Sequence, residues 1–278
     1  MKACASSKRS SLKFFILTFA LATPFWMLNL VVKVEGLPLN IPITDLMLAF
    51  MPLTAAVTLV YREEGLIGAK RLLKRIFDYK RPKNKIWYVS VVLLNFLLFS
   101  LIYGTMFILR RQLPTKTQIP LRKIPFLFVL FFALAVGEEI GWTGYAIDPM
   151  QKRWSSLKAA TVLGLVTMIG HYPSMIVQGR GLKWIAWSTF GITALRVVMV
   201  WLYNNTGKSV FAVILFHAIH NVCRTAFPAD KIHNPLVDYP DVHYSVFAIA
   251  AVIVTFLWGP ETLARFRYSR VGYARSSA

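Results

Sequence analysis

The chain has 278 residues, of which 56% are hydrophobic, and carries a formal net charge of +20. With a positive mean hydropathy, that composition excludes a disordered chain and an ordinary soluble domain and fits a polytopic membrane protein. In a soluble protein such charge would suggest nucleic acid, but here the basic residues lie mainly between apolar runs and no nucleic-acid motif is present.

Eight apolar segments follow one another at 14–32, 41–61, 87–109, 124–147, 159–178, 184–203, 209–227 and 243–259. The expected fold is therefore an all-α, polytopic transmembrane bundle of about eight helices. No internal repeat or separate soluble domain is visible, so residues 1–278 read as a single membrane domain. Ala20-Leu21-Ala22 looks like a signal-peptide cleavage site. The apolar run continues through Thr23-Pro24 to Val32, longer than a signal's apolar region, and reads as a first membrane helix. Cys4 and Cys223 form neither a disulfide framework nor a zinc ribbon.

Between the second and third segments, Arg62–Lys85 is the longest polar stretch. Leu66, Ala69, Leu72, Leu73, Ile76 and Phe77 share one helical face, and Lys70, Arg71, Lys74 and Arg75 the other. That pattern predicts a basic amphipathic helix on the membrane surface. With both termini in the cytosol, cytosolic stretches hold 21 Lys and Arg and the other side 10, Arg196 being within the membrane. The asymmetry predicts both termini inside an integral membrane protein of the cell membrane, if the source is prokaryotic. Arg110, Arg111, Lys116, Arg122 and Lys123 run against that bias.

The fourth segment holds Glu138 and Glu139 deep in apolar sequence. A carboxylate there costs roughly 2.5–3.5 kcal/mol even on lenient insertion scales, so such a pair is expected to face a protein interior and act there. Further polar groups lie in the later segments: His171, then His217 and Asn221, whose spacing of four puts them on one helix face. His220 could join that face or line its edge. At about 1.5 Å per residue, Glu138 lies about 10–14 Å from the cytosolic end of its helix, His171 about 18 Å and His217 about 12 Å. Groups from three helices thus reach a similar level, with access expected from the cytosolic side.

Glutamate can take a proton from water as general base. Histidine can orient that water or ligate a metal, and histidine and asparagine can donate to an oxyanion. No serine or cysteine nucleophile sits beside them in a motif, and His-Glu-x-x-His is absent. The set points to hydrolysis. Taken singly, each polar residue could instead be an interhelical hydrogen-bonder, and the glutamate pair a coupling site in a transporter.

Glu138-Glu139-Ile-Gly-Trp-Thr-Gly-Tyr145, Gly170-His171-Tyr-Pro173 and Phe216-His217-x-x-x-Asn221 together resemble the three motifs of the CPBP intramembrane endopeptidases. These are the CAAX-protease and bacteriocin-processing, or Abi, proteins, and the resemblance covers about 120–227. It implies that Glu138 activates water with His171, that His217 and Asn221 stabilise the oxyanion, and that Glu139 is a second, supporting acid. It implies as partners membrane lipid and a membrane-associated peptide or CAAX-type C-terminal substrate, with no nucleic acid. The family is called a metalloprotease, so Zn²⁺ is a possible cofactor, with Glu138, His171 and His217 as candidate ligands; a metal-free glutamate–water site uses the same residues. A non-enzymatic immunity or scaffold protein on the same fold and a proton-coupled transporter are the alternatives.

Two positions depart from the usual pattern of that family. Thr143 stands where an arginine would balance Glu139, and Thr167 where a phenylalanine precedes the histidine. Thr143 can hydrogen-bond Glu139 from one turn away. Arg196, about 11 Å deep in the sixth segment, either supplies the missing charge by pairing with Glu139 or snorkels to the headgroups.

Overall fold

The computed structural model describes residues 9–31, 43–114, 119–230 and 233–264. Cys4 and the cations Lys2, Lys8, Lys33, Lys116, Lys231 and those of 265–275 lie outside the described residues. The described residues form helices without a strand: α1 (Ser11–Val31), α2 (Ile43–Leu48), α3 (Met51–Leu73), α4 (Trp87–Ile108), α5 (Ile124–Gly141), α6 (Ile147–Gln151), α7 (Ser156–Val177), α8 (Leu182–Asn205), α9 (Val210–Ala226), α10 (Pro235–Asp238) and α11 (Pro240–Trp258). Seven helical stretches among them are long and apolar enough to cross a membrane. The expected seventh segment is α9, an apolar helix of 17 residues. The all-α expectation holds, and each of the eight segments contains a helix among the described residues. Ala20–Ala22 lies inside the unbroken α1.

Large apolar side chains such as Ile16, Phe96, Phe126, Val129, Val252 and Phe256 are exposed around the outside. In water that belt would be costly; facing lipid it is expected. The core sits where α8 packs on α7 and α11, and α5 on α3 and α9. α8 is the most enclosed span: 61% of its apolar window is buried, against 22–39% in the others. Arg196 on α8 therefore points into protein and not toward headgroups.

The basic stretch after residue 62 differs from its expected form. α3 runs on from the membrane through a kink at Gly65, whose φ of 69° suits only glycine, and ends in a 3₁₀ turn at Lys74–Phe77. Of the expected apolar face, Ala69 and Leu72 are buried, while Leu66 and Phe77 are exposed. Arg75, expected on the polar face, turns inward. Its Nη1 donates to the Gly144 carbonyl at 2.8 Å, and its Nη2 to the Tyr203 hydroxyl at 2.8 Å and the Lys208 carbonyl at 2.9 Å. The tighter 3₁₀ turn changes the angle per residue, so an α-helical phase carried past Leu73 misplaces Arg75.

Asp78, just beyond, accepts from the Ser209 hydroxyl at 2.8 Å and from the Val210 and Phe211 amides at 3.3 and 3.0 Å. Ser209 itself caps α9 by accepting from the Ala212 amide at 3.2 Å. An anion on the free amides of a helix start is favourable. This short loop therefore fixes the start of the helix that carries His217 and Asn221.

α5 reaches its neighbours through Gly137 and Gly141, one turn apart. A Cβ on Gly141 would lie 2.5 Å from the Pro52 carbonyl oxygen, and one on Gly137 2.6 Å from that of Ala49. The glutamates sit between these two contacts, so the close approach of α5 to the start of α3 sets their position. Gly141→Ala is expected to destabilise the fold by about 1–3 kcal/mol through overpacking. Gly104→Ala on α4, which would meet nothing within 4 Å, is expected to be neutral or stabilising by about 0.5–1 kcal/mol. Thermal unfolding in detergent, comparing the two variants, checks this.

Candidate active site

Immediately after the glutamates the helix widens into a π-turn at Trp142–Ala146. Such a turn frees or redirects backbone groups and often marks a functional site. Here the Gly144 carbonyl accepts from Arg75, and the Ala146 carbonyl from the Ser11 hydroxyl at 3.0 Å. Side chains from two other segments thus stabilise the wide turn beneath the glutamate pair.

Glu139 is fully buried. Arg196 donates from one Nη1 to both of its oxygens, at 3.0 and 2.8 Å. The Thr143 hydroxyl donates to Oε2 at 2.5 Å, and His217 Nδ1 lies 3.0 Å from Oε1. The pairing alternative for Arg196 is therefore the one observed: the cation absent at position 143 arrives from α8, and Thr143 adds the local hydrogen bond. Gly164 on α7 makes room for this, since a Cβ there would lie 2.8 Å from the Thr193 Cα and 3.2 Å from the Arg196 Cβ.

These contacts fix a proton. A carboxylate held by a guanidinium is ionised and can only accept. His217 Nδ1 must then be the donor, which leaves Nε2 as the atom available for chemistry. Nε2 donates to an oxyanion when the ring is an imidazolium, and accepts when it is neutral.

Glu138 behaves differently. It is half-buried and has no hydrogen bond or ion pair among the described residues. It lies within electrostatic reach of both His171 and His217. His171 is solvent-accessible. Along α9, accessibility rises from the buried Val210 and Val213 through the half-buried His217 and Asn221 to the exposed Arg224. The site is thus closed at the Arg75–Asp78 end and open toward the C-terminal ends of α7 and α9. The structure places Glu138, His171 and His217 within electrostatic reach of one another, and Asn221 follows His217 by one turn on the same face.

His220 leaves that face. It is buried, its Nδ1 lies 3.3 Å from Asn95 Oδ1, and its ring packs on Phe99 and Phe247. Asn95 also donates to the Phe216 carbonyl at 3.0 Å, tying α4 to α9. Among the described residues no three His, Cys, Asp or Glu side chains form a metal-holding group. Glu138, His171 and His217, the candidate zinc set, are not such a group.

One acid near the site was not among the sequence candidates. Asp45 on α2 accepts from Ser174 Oγ at 2.6 Å and Asn29 Nδ2 at 2.9 Å, and interacts electrostatically with His171. Its signal was present: a lone acid in the apolar run 41–61 meets the same cost that singled out Glu138.

Residues 120–223 match the family model described as Type II CAAX prenyl endopeptidase Rce1-like. That stretch contains Glu138, Glu139, His171, His217 and Asn221, so the family resemblance read from the three motifs stands. The chain is also similar to CAAX prenyl protease 2 of Methanococcus maripaludis, 31% identical over 107 residues, or 36% of this chain and 39% of that relative. The likeness therefore spans about two fifths of the relative's length.

Removing one partner from a buried ion pair leaves the other charge uncompensated, at about 3–5 kcal/mol. Arg196→Leu is expected to destabilise the protein by that order. Arg196→Leu combined with Glu139→Gln is expected to lose clearly less than the sum of the single changes. Unfolding of the four proteins of this cycle measures the coupling, and additive losses would count against a direct interaction.

Proposed function

We propose that this membrane protein is an intramembrane endopeptidase that hydrolyses peptide bonds with a water activated by Glu138. The observation that carries the reading is the contrast within the glutamate pair. Glu139 is held by three side chains with no exposed surface, whereas Glu138, one residue away, has no hydrogen bond or ion pair among the described residues and lies within electrostatic reach of two histidines. Glu139 is then a positioning residue and not a second catalytic acid.

In the proposed reaction Glu138 takes a proton from water, and the hydroxide forms a C–O bond to the scissile carbonyl carbon. His171 orients that water. The oxyanion is stabilised by Nε2–H of the His217 imidazolium, whose charge Glu139 offsets, and by the Asn221 amide. Collapse breaks the C–N bond, and the proton held by Glu138 passes to the leaving amine. The Rce1-like match and the name of the methanococcal relative support a CAAX-type C-terminal tail, or a comparable membrane-associated peptide, as substrate.

Glu138→Gln, His171→Ala and His217→Ala are each expected to lower kcat by at least about 10²–10³-fold, the loss typical of one oxyanion donor. Asn221→Ala is expected to cost less. Cleavage of a C-terminal peptide by purified protein in liposomes checks this. A Glu138→Gln variant that cleaves at the wild-type rate would remove the mechanism, and would leave the scaffold and transporter readings in place.

The proposed orientation, both termini cytosolic, rests on the charge asymmetry. A cysteine at Lys70→Cys is expected to label only from the cytosolic side of sealed vesicles, and one at Lys183→Cys only from the other. On this orientation the open end of the site lies in the non-cytosolic half, against the expected cytosolic access. The reverse labelling would invert the protein and turn that open end to the cytosol.

A further inference from the structure

Asp45 lies on α2, in the apolar helical stretch Thr44–Phe77, and is half-buried. Donors from two other helices meet on one of its oxygens. Ser174 Oγ of α7 donates to Oδ1 at 2.6 Å, and Asn29 Nδ2 of α1 donates to the same Oδ1 at 2.9 Å. Among the described residues its other oxygen accepts no hydrogen bond, and no Lys or Arg pairs with it. Ser174 follows His171 by three positions, so the two share a face of α7. Asp45 and His171 interact electrostatically, without a hydrogen bond between them. The other charged or titratable groups acting on His171 are Glu138 of α5 and His217 and Arg224 of α9. Asn29 and Asp45 lie outside residues 120–223, the stretch that matches the family model.

The tie between α1, α2 and α7 needs an acceptor and not a charge. An asparagine at position 45 would offer the same Oδ1 to the same two donors. The carboxylate therefore calls for its own account, because such a group in an apolar span is costly unless a partner offsets it. His171 is the partner the structure supplies. Hydrolysis sets a demand on the same ring. A water aims its oxygen lone pair at a carbonyl carbon best when acceptors hold both of its hydrogens. Glu138 takes one, and a bare nitrogen of His171 takes the other. That nitrogen is bare when the opposite one carries the proton, and a fixed anion on the far side of the ring favours that form. We infer that Asp45 is a positioning residue for His171. Its carboxylate holds the imidazole in the tautomer whose N–H edge faces α2 and whose other nitrogen accepts from the nucleophilic water. The water's part in this rests on the endopeptidase reading. Asp45 thus does through space for His171 what Glu139 does by contact for His217, and the site depends on two helices that precede the matched stretch.

The test removes the charge and keeps the tie. Asp45→Asn, Asp45→Glu and Ser174→Ala are made in the full-length protein and assayed in liposomes with the C-terminal peptide used for Glu138→Gln. Asp45→Asn is expected to lower kcat by about tenfold to a hundredfold, the loss usual when the outer partner of a working histidine is removed. KM and the unfolding temperature should stay nearly as in the wild type. Asp45→Glu keeps the charge, and Ser174→Ala loosens the tie without touching it, so both should retain more activity than Asp45→Asn. Wild-type kcat in Asp45→Asn overturns the proposal. So does a loss in Asp45→Glu or Ser174→Ala as deep as that in Asp45→Asn, which would assign Asp45 to the tie alone. Nitrogen NMR of protein with ¹⁵N-labelled histidine gives a readout that needs no hydrolysis, the His171 signals being those lost in His171→Asn. One protonated and one bare nitrogen are expected in the wild type, and a mixture of the two tautomers in Asp45→Asn. Both nitrogens protonated in the wild type at neutral pH, or His171 signals indifferent to Asp45→Asn, overturn the proposal even where activity falls. If no protein of the set cleaves the peptide, the endopeptidase reading fails, and these signals alone decide whether Asp45 holds the ring.

Discussion

A single buried carboxylate, that of Glu139, is the constraint around which the rest is arranged. An unpaired charge at that depth costs several kcal/mol. The fold offsets the cost with a guanidinium from α8, a hydroxyl one turn along its own chain and an imidazole from α9. Three elements are thereby fixed relative to one another by one group. The same contacts decide which histidine nitrogen carries the proton, and so which atom is left for chemistry. Glu138 has no hydrogen bond or ion pair among the described residues and is half-buried. Two adjacent residues of the same type thus hold opposite positions, one structural and one available.

The scaffold beneath this node works by close approach and by redirected backbone groups. Gly137 and Gly141 let α5 touch the carbonyls at the start of α3, with the glutamates between the two contacts. The π-turn then leaves carbonyls that Arg75 and Ser11 occupy. Asp78 and Ser209 hold the start of α9, and Asn95 holds its middle. α9 is short for a membrane helix, and this pinning at two levels is what fixes His217 and Asn221 against α5. The charged residues at the closed end are therefore part of the site's framework, although they lie far along the chain from it.

Much of this was legible in the sequence because cost is legible. Apolar runs gave the helices, and polar groups stranded in them gave Glu138, Glu139, His171, His217, Asn221 and Arg196. The absent arginine at position 143 made Glu139 one of two readings for Arg196, the other being the headgroups, and the burial of α8 decides between them. What escaped had no local signal or had the wrong phase. A π-turn carries no periodicity of its own, so 124–147 read as one helix. Arg75 was placed on the polar face because the 3₁₀ turn at Lys74 is invisible to a helical wheel. His220, three residues from His217, could not be assigned a side until α4 and α11 were seen to pack on it. Asp45 was readable by the same rule that found the glutamates, since it is an acid in an apolar run, but its hydrogen bonds to Asn29 and Ser174 join segments too distant for any pattern to link.

The proton on His217 tests the central claim most directly, because the Glu139 node determines its position. Nitrogen NMR of full-length protein with ¹⁵N-labelled histidine, in lipid bilayers, reads it, the His217 signals being those lost in His217→Asn. The account predicts a protonated, hydrogen-bonded Nδ1 in the wild type and a clear change of that signal in Glu139→Gln. A bare Nδ1 in the wild type, or a signal indifferent to Glu139→Gln, would contradict it.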